Sequence, residues 1–127
     1  MDNRQVQQWI KDGPTPSLLQ ETENFGMSLV QQKLTTSQIR QVFSKLKNIE
    51  AKGFQTQRTE FMMLKPFIAY AAGRQKSVAG LQAFKEKISS AIDAVFDGDQ
   101  ESEQIRFHNF CKLFEALLAY HRAHGGK

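Results

Sequence analysis

Apolar residues recur at intervals of three and four along most of the chain, which is the spacing of an amphipathic α-helix. No segment alternates apolar and polar residues for long, as a half-buried strand would. Turn-forming residues separate the helical segments at 12–17, 34–37, 52–56, 76–77 and 97–102. The pattern therefore predicts an all-α fold, a compact bundle of five to six helices.

The third helix is the best specified of those that the pattern predicts. We expect helices over about 5–11, 17–33, 35–52, 58–75, 78–96 and 101–123. Thr35 and Gln38 form a capping box, in which each side chain binds a backbone N–H of the first turn. Its apolar stripe consists of Ile39, Val42, Phe43, Leu46 and Ile49. At 100° per residue, the opposite, solvent-facing side carries Arg40, Lys45, Lys47 and Lys52.

The fourth predicted helix is apolar on nearly all sides, the pattern of a central helix covered by its neighbours. Pro66 predicts a kink or break near Lys65, because proline lacks the N–H that a helix interior needs. Small residues that would permit close approach of another backbone follow at Ala69, Ala71, Ala72 and Gly73. Tyr70 and Arg74 share a face. Arg74 has two interpretations: a structural one, in which it binds helix-terminal carbonyls or pairs with an acid, and a functional one, in which it contacts a phosphate.

The last two predicted helices each carry one apolar stripe. The stripe of the fifth helix is Leu81, Phe84, the stem of Lys85, Ile88, Ile92, Val95 and Phe96. The stripe of the sixth is Phe107, Phe110, Cys111, Phe114, Leu117, Leu118 and His121. We interpret Cys111 and His121 as core residues rather than as chemical groups, since a free cysteine behaves as a small apolar side chain.

The chain length of 127 residues predicts a single helical domain, 1–127, with a hydrophobic core of its own. No apolar stretch approaches the roughly 20 residues of a membrane helix, and the N-terminal residues lack the basic start and apolar core of a signal peptide. The one cysteine can form no internal disulfide. We therefore expect a soluble, cytoplasmic protein that has no membrane partner.

The positive charge is concentrated in one third of the sequence. Residues 33–76 hold nine basic and two acidic side chains, a local balance of +7, whereas the rest of the chain has a balance of −3. A one-sided basic region favours a polyanionic partner. The alternative is that these lysines only solvate the helix surfaces.

One acidic segment begins like a calcium-binding loop. Asp97, Asp99 and Glu101 stand at the first three ligand positions. However, Ser102 replaces the glycine of the sharp turn, and His108 replaces the bidentate glutamate. We interpret the segment as an acidic turn that complements the dipole of the following helix.

Other chemical motifs are not found. His121 and His124 lie one turn apart, but no third ligand has a defined spacing to them. The sequence has no glycine-rich phosphate loop, nucleophile elbow or paired-carboxylate signature. It therefore predicts no catalytic residue, no metal, no cofactor and no small-molecule substrate.

Three blocks of sequence carry a resemblance to a known family. They read LTTSQIR at 34–40, YAAGR at 70–74 and FCKLFEALLAYHRAHGGK at 110–127. In order and spacing they resemble the signature blocks of the small subunit of type III-A CRISPR effector complexes, the Csm complex. The family-like part is 34–127, and the N-terminal 1–33 is weakly matched.

The resemblance implies a non-catalytic, RNA-binding subunit that stacks with copies of itself as a filament. It would lie beside the other subunits of the Csm complex and line the channel that holds crRNA and target RNA. In this family, target cleavage belongs to the backbone subunits, and the DNase and cyclic-oligoadenylate activities belong to the large subunit. Recognition would not depend on sequence, since guide–target pairing already reads it.

The candidate RNA contacts come from two arguments. The family blocks point to Arg40 and Arg74. The local charge excess adds Lys45, Lys47, Lys52, Lys65 and Lys76. Phosphate contacts by such side chains would weaken as salt rises.

Two other function classes stay open. A helical DNA-binding regulator would insert the third helix as a recognition helix, although that helix exposes few base-reading residues besides Gln41 and Asn48. A small histidine-dependent ribonuclease would use His108, His121 or His124.

Overall fold

The computed structural model describes all 127 residues as helices joined by short connections. The helices are α1 (Asn3–Asp12), α2 (Pro16–Gln31), α3 (Thr36–Lys52), α4 (Arg58–Met62), α5 (Leu64–Arg74), α6 (Ala79–Phe96) and α7 (Glu103–Ala123). A 3₁₀ turn over Gln100–Ser102 precedes α7. The predicted all-α bundle is confirmed: the chain has no strand, and the five-residue α4 accompanies six helices of ten to 21 residues.

Side-chain caps determine where the first three helices begin. The predicted capping box of α3 is present, with Thr35 Oγ1 accepting from Gln38 N at 3.2 Å and Gln38 Oε1 accepting from Thr35 N at 3.0 Å. A second capping box, between Asp2 and Gln5, begins α1 two residues before the predicted start. Both boxes satisfy backbone donors that the first turn of a helix leaves free.

α2 begins at Pro16, one residue before its predicted start at residue 17. The N-cap is Thr15, whose Oγ1 accepts from Leu18 N at 3.1 Å. Pro16 occupies the first helical position, where the missing N–H would have no partner in any case. Thr15 and Pro16, which the sequence assigns to the turn at 12–17, therefore belong to the start of α2.

The core is one cluster of 29 buried apolar residues, with α7 at its centre. α7 packs against α1, α2, α3 and α6. Phe61 meets the rings of Phe107 and Phe110 at centroid distances of 5.1 and 5.0 Å, and Phe54 stacks on Phe107 at 4.7 Å. The predicted stripe of the last helix is confirmed, since all of its members are buried except the half-buried Leu118.

The helix predicted over 58–75 is broken into two. α4 ends at Met62 and α5 begins at Leu64, so the break at Met63 lies two residues before the predicted position near Lys65. Pro66 thereby falls in the first turn of α5, where helical N–H groups have no intrahelical acceptor. The break that proline predicts is confirmed. It lies where the missing N–H of Pro66 costs no hydrogen bond within the helix.

The prediction that this segment is a central, covered helix is wrong. α5 buries only the stripe Leu64, Ile68 and Ala72, which are spaced four residues apart on one side. On the other side, Met63 and Tyr70 are 55% and 67% exposed. The segment carries apolar residues on all sides, but only one side packs against the core. The other side therefore exposes apolar residues to solvent.

Close approach of backbones occurs at Gly26 and not at Gly73. Nothing lies within 4 Å of the position that a Cβ would take at Gly73, so no neighbouring backbone approaches α5 at this glycine. A Cβ at Gly26 would lie 3.1 Å from Tyr120 Cβ and 3.3 Å from His121 N on α7. The glycine in the middle of α2 thus lets two helices cross at short range.

Two arginines tie the start of α7 to the rest of the chain. Arg58 Nε and Nη2 donate to the two carboxylate oxygens of the buried Glu103 at 2.8 and 3.0 Å. The buried Arg106 donates to the backbone oxygens of Val95 and Asp99 at 2.7 and 2.6 Å. The acidic segment before α7 therefore wraps around a guanidinium, and the Asp99 carboxylate, 3.3 Å from Arg106 Nη1, offsets its charge.

We expect Gly26→Val to lower the free energy of unfolding by about 1–3 kcal/mol, because the new side chain would meet α7. The matched control is Gly73→Ala, which adds a methyl group in open space. It should raise the free energy of unfolding by up to about 1 kcal/mol through helix propensity alone. Urea unfolding followed by circular dichroism measures both. Equal effects of the two substitutions would contradict the close contact between α2 and α7.

We expect Glu103→Gln to destabilise the fold by about 1 kcal/mol at neutral pH, discounted for the partial exposure of its partner. Hydrogen bonds from Arg58 hold the pKa of Glu103 below its ordinary value. This stabilisation is complete above the ordinary pKa of glutamate, about 4.3, and is lost as pH falls through the lower pKa of the folded state. The difference from the unmodified chain should therefore shrink in acid. Unfolding curves at pH 7 and below pH 4 test it, with the exposed Glu101→Gln as a control that changes little.

Candidate nucleic-acid interface

Two of the seven predicted RNA contacts are engaged in ion pairs. Lys65 Nζ lies 2.6 Å from Asp93 Oδ1 on α6. Lys47 Nζ lies 3.0 Å from Glu50 and 3.2 Å from Glu115 on α7, and these hydrogen bonds raise the pKa of Lys47. A lysine that already faces a carboxylate has less net charge to offer to a phosphate.

The other five predicted contacts are exposed and have no carboxylate partner: Arg40, Lys45, Lys52, Arg74 and Lys76. They do not form a single face. Arg40 lies toward the C-terminal residues that follow α7, whereas Lys45 and Lys52 lie toward α5. Lys76 stands in the turn between α5 and α6, outside both surfaces.

The first surface is a groove of about 490 Å³ beside the start of α3, which we name the α3–α7 groove. Its lining is entirely polar: Thr36, Ser37, Arg40, Gln41, Ser44, Arg122 and Lys127. It contains three cationic side chains and no acidic side chain. Arg122 and Lys127 were missed by the charge argument because they lie outside 33–76. Their presence in the third family-like block, at 110–127, was the available signal.

The start of α3 adds to the positive character of this groove. Thr36 and Ser37 are the first two residues of a 17-residue helix, and first-turn N–H groups have no intrahelical acceptor. Aligned peptide dipoles give this end of a helix a partial positive charge. Thr36 Oγ1 is buried and has no hydrogen-bond partner. The groove thus combines guanidinium, ammonium and helix-terminal groups, all of which favour an anion.

The second surface is a cleft of about 750 Å³ between α3 and the segment α4–α5, which we name the α3–α5 cleft. Lys45 and Lys52 stand on its α3 wall, and Phe67 and Tyr70 stand on its α5 wall. Lys45 Nζ lies 4.6 Å from the centroid of the Phe67 ring. The Arg74 guanidinium lies 5.5 Å from the Tyr70 ring. Cations and aromatic rings therefore lie close together in this cleft and, at Arg74, beside it.

Arg74 has neither of the structural partners considered for it in the sequence. Its side chain hydrogen bonds no helix-terminal carbonyl and pairs with no acid, and its contact is with the ring of Tyr70. A guanidinium above an aromatic ring keeps its edge donors free. Arg74 is therefore held in place without being neutralised.

A family model described as Csm2 Type III-A matches residues 13–127. The chain belongs to this family. It is therefore a small subunit of a type III-A CRISPR effector, the Csm complex, in which it assembles with other subunits. The match begins at residue 13 and so includes α2, which the three sequence blocks leave out. No curated protein and no solved structure matches the chain.

Two of the four groups that could support chemistry in this Csm2-family chain, Cys111 and His121, lie in its core. Burial raises the pKa of the Cys111 thiol to about 12. His121 is fully buried, with Nε2 2.7 Å from Leu34 O. The interpretation of both as core residues is confirmed. His124 pairs with Glu23 at 2.8 Å, and His108 is exposed on α7.

Two findings concern metals and membranes. No group of three or more histidine, cysteine, aspartate or glutamate side chains is arranged to hold a metal ion. None of the helices combines the length and the apolar content that a membrane span requires. The Csm2 family is one of structural small subunits, and the chain's most distinctive surfaces are the two cationic ones.

We expect the Cys111 thiol to be unreactive toward a disulfide reagent in the folded protein. A pKa of about 12 leaves on the order of one thiol in 10⁴ ionised at pH 8, and burial also blocks access. The reaction at pH 8 should be at least about a thousandfold faster in 8 M urea than in buffer. Rapid labelling in buffer would contradict the assignment of Cys111 to the core.

Proposed function

We propose that this chain binds the guide–target RNA of its complex through its two cationic surfaces and does so without catalysing a reaction. The observation that carries the proposal is the α3–α7 groove, where Arg40, Arg122 and Lys127 meet with no aspartate or glutamate among the lining residues. Three unneutralised cations at one place attract a polyanion. The family assignment indicates that this polyanion is RNA, since a type III-A effector is built around a crRNA.

The proposed contact is with phosphates rather than with base edges. A guanidinium binds two phosphate oxygens at once, and lysine acts as a point charge. Phosphates are identical in every nucleotide, so such contacts fix position without reading sequence. Pairing between guide and target already supplies specificity, and the small subunit has only to follow the backbone.

The seven predicted contacts contribute unequally under this proposal. Arg40, Arg74, Lys45 and Lys52 are the principal contacts, because each is exposed and unpaired at or beside one of the two surfaces. Lys76 is also exposed and unpaired, and it would add a separate contact outside both surfaces. Lys47 and Lys65 contribute less, because each must first leave a carboxylate. Arg122 and Lys127 join Arg40 at the α3–α7 groove.

Copies of the chain are proposed to stack head to tail along the RNA. A filament requires two unlike surfaces on each copy, so that the contact repeats without closing. Exposed apolar side chains occur on elements distant in the chain, with Leu19 and Met27 on α2 and Ile105, 62% exposed, on α7. These are the side chains that a neighbouring copy could cover.

A role in positioning rather than in catalysis fits the placement of the reactive groups. His121 is inaccessible, and Cys111 is protonated at neutral pH. His108 has no hydrogen-bonded partner that would orient it as a general base. Cleavage of labelled RNA by the purified chain, lost in His108→Ala, would contradict this part of the proposal.

We expect Arg40→Ala to weaken binding of target RNA to the assembled complex and to lower the slope of log affinity against log salt by about 1. The matched control is Lys65→Ala, which removes the same unit charge from a side chain already paired with Asp93. It should change the affinity by less than about twofold, as is usual for exposed pairs. Filter binding across a salt series measures both.

Two results would contradict the proposal. Equal effects of Arg40→Ala and Lys65→Ala would show that only net charge matters and that the α3–α7 groove is not a contact. Preference for one duplex DNA sequence over RNA would favour the alternative of a helical DNA-binding regulator.

A further inference from the structure

Tyr70 is the most exposed of the large apolar side chains, at 67%, and it lies at the edge of the α3–α5 cleft. The phenylalanines next to the core pair with one another, whereas the ring of Tyr70 pairs with no other aromatic ring. Its hydroxyl makes no hydrogen bond. Packing therefore does not explain why an aromatic ring stands at this position.

The surroundings of Tyr70 are suited to a nucleic acid strand. Lys45 and Lys52 stand across the cleft, and Arg74 covers one side of the ring. Open positive charge beside an exposed ring is the arrangement that proteins use for single strands, with phosphates on the cations and bases stacked on the ring. Glu60 is the one acidic side chain in the lining.

We propose that Tyr70 is a stacking platform for an unpaired base of a single-stranded RNA segment whose phosphates contact Lys45 and Lys52. This inference rests on the proposed RNA-binding function and specifies the form of RNA that the α3–α5 cleft accepts. A fully paired duplex fits poorly, because its bases stack on one another and present no free face. An unpaired nucleotide can turn its base outward onto Tyr70.

The contact between Arg74 and Tyr70 prepares this platform. The guanidinium lies 5.5 Å from the ring and limits the rotamers that Tyr70 samples before RNA arrives. Less side-chain freedom is then lost on binding. Arg74 keeps its outer N–H groups for a phosphate next to the stacked base. In this arrangement Arg74 is a positioning residue for the ring as well as a cation.

The cleft has room and polar groups for the edge of a base. Its volume of about 750 Å³ lies within the range of small-ligand sites. The amides of Asn48 and Gln57 line it without hydrogen-bond partners of their own. An amide can donate to or accept from any base edge, which suits recognition that tolerates every sequence.

The experiment compares RNA oligonucleotides that have equal numbers of phosphates but differ in their bases. The full chain is titrated with a single-stranded RNA, the same backbone with abasic sites, and a fully paired duplex. We expect Tyr70→Leu to weaken binding of the single strand by about 5- to 100-fold and to leave the abasic and duplex ligands within about twofold. Tyr70→Trp, which keeps a stacking face, should restore the affinity for the single strand.

The Tyr70→Trp variant also gives a direct signal. Trp9 is the one native tryptophan and is 1% exposed, so it contributes a constant background. Stacking of a base on the introduced indole should quench the fluorescence of that variant with the single strand and not with the abasic backbone. Circular dichroism of both variants should match the unmodified chain, because the side chain of Tyr70 is mostly outside the core.

Three outcomes would overturn the inference, and they can be told apart. Unchanged affinity of Tyr70→Leu for the single strand, with salt-dependent binding intact, removes the platform and leaves the proposed RNA binding standing. Loss of self-association in sedimentation, without any change in RNA preference, assigns Tyr70 to a contact with a neighbouring copy. If the unmodified chain and its complex bind none of the three ligands, the proposed function fails and the platform with it.

Discussion

Phenyl rings from distant parts of the chain converge on α7, and these contacts hold α3, α4 and α6 against it. Phe43 on α3 and Phe84 on α6 each approach Phe114, with ring centroids 5.8 Å apart in both pairs. Phe54 and Phe61 reach the other half of α7 from the connection after α3 and from α4. α4 packs on α7 in this way, whereas α5 packs against α6 and α3 along one side, and its other side is exposed. The α3–α5 cleft is the space that remains.

The same burial separates the basic residues into two groups. Acids on α6 and α7 lie within reach of Arg58, Lys47 and Lys65 and pair with them, and of these acids only Glu103 is buried. Their partners lie 45, 68 and 28 residues away in the sequence. The cations that point away from α6 and α7 have no such acids within reach. Helix packing, and not the local charge balance of the sequence, therefore determines which basic side chains remain unpaired on the surface.

This explains which parts of the structure could be predicted. Capping boxes and apolar stripes act within one or two turns, so Thr35 and Gln38 mark the start of α3 and the stripe of α7 indicates its buried side. The burial of His121 also follows from its place in that stripe. The exposure of Tyr70 does not, since the apolar run from Phe61 to Ala72 is the same whether neighbours cover one side or all sides. The meeting of Arg40 with Arg122 and Lys127 likewise depends on how the ends of α3 and α7 are juxtaposed.

α3 forms a wall of both cationic surfaces, which constrains how RNA could follow them. At 100° per residue, Lys45 and Lys52 lie about 140° and 120° around α3 from Arg40. The exposed side chains between them include Ser44, Gln41 and Asn48, which are uncharged and carry no acid that would repel a strand. Under the proposed function, a strand that crosses α3 would meet cations at both surfaces and Tyr70 on the α5 wall of the cleft.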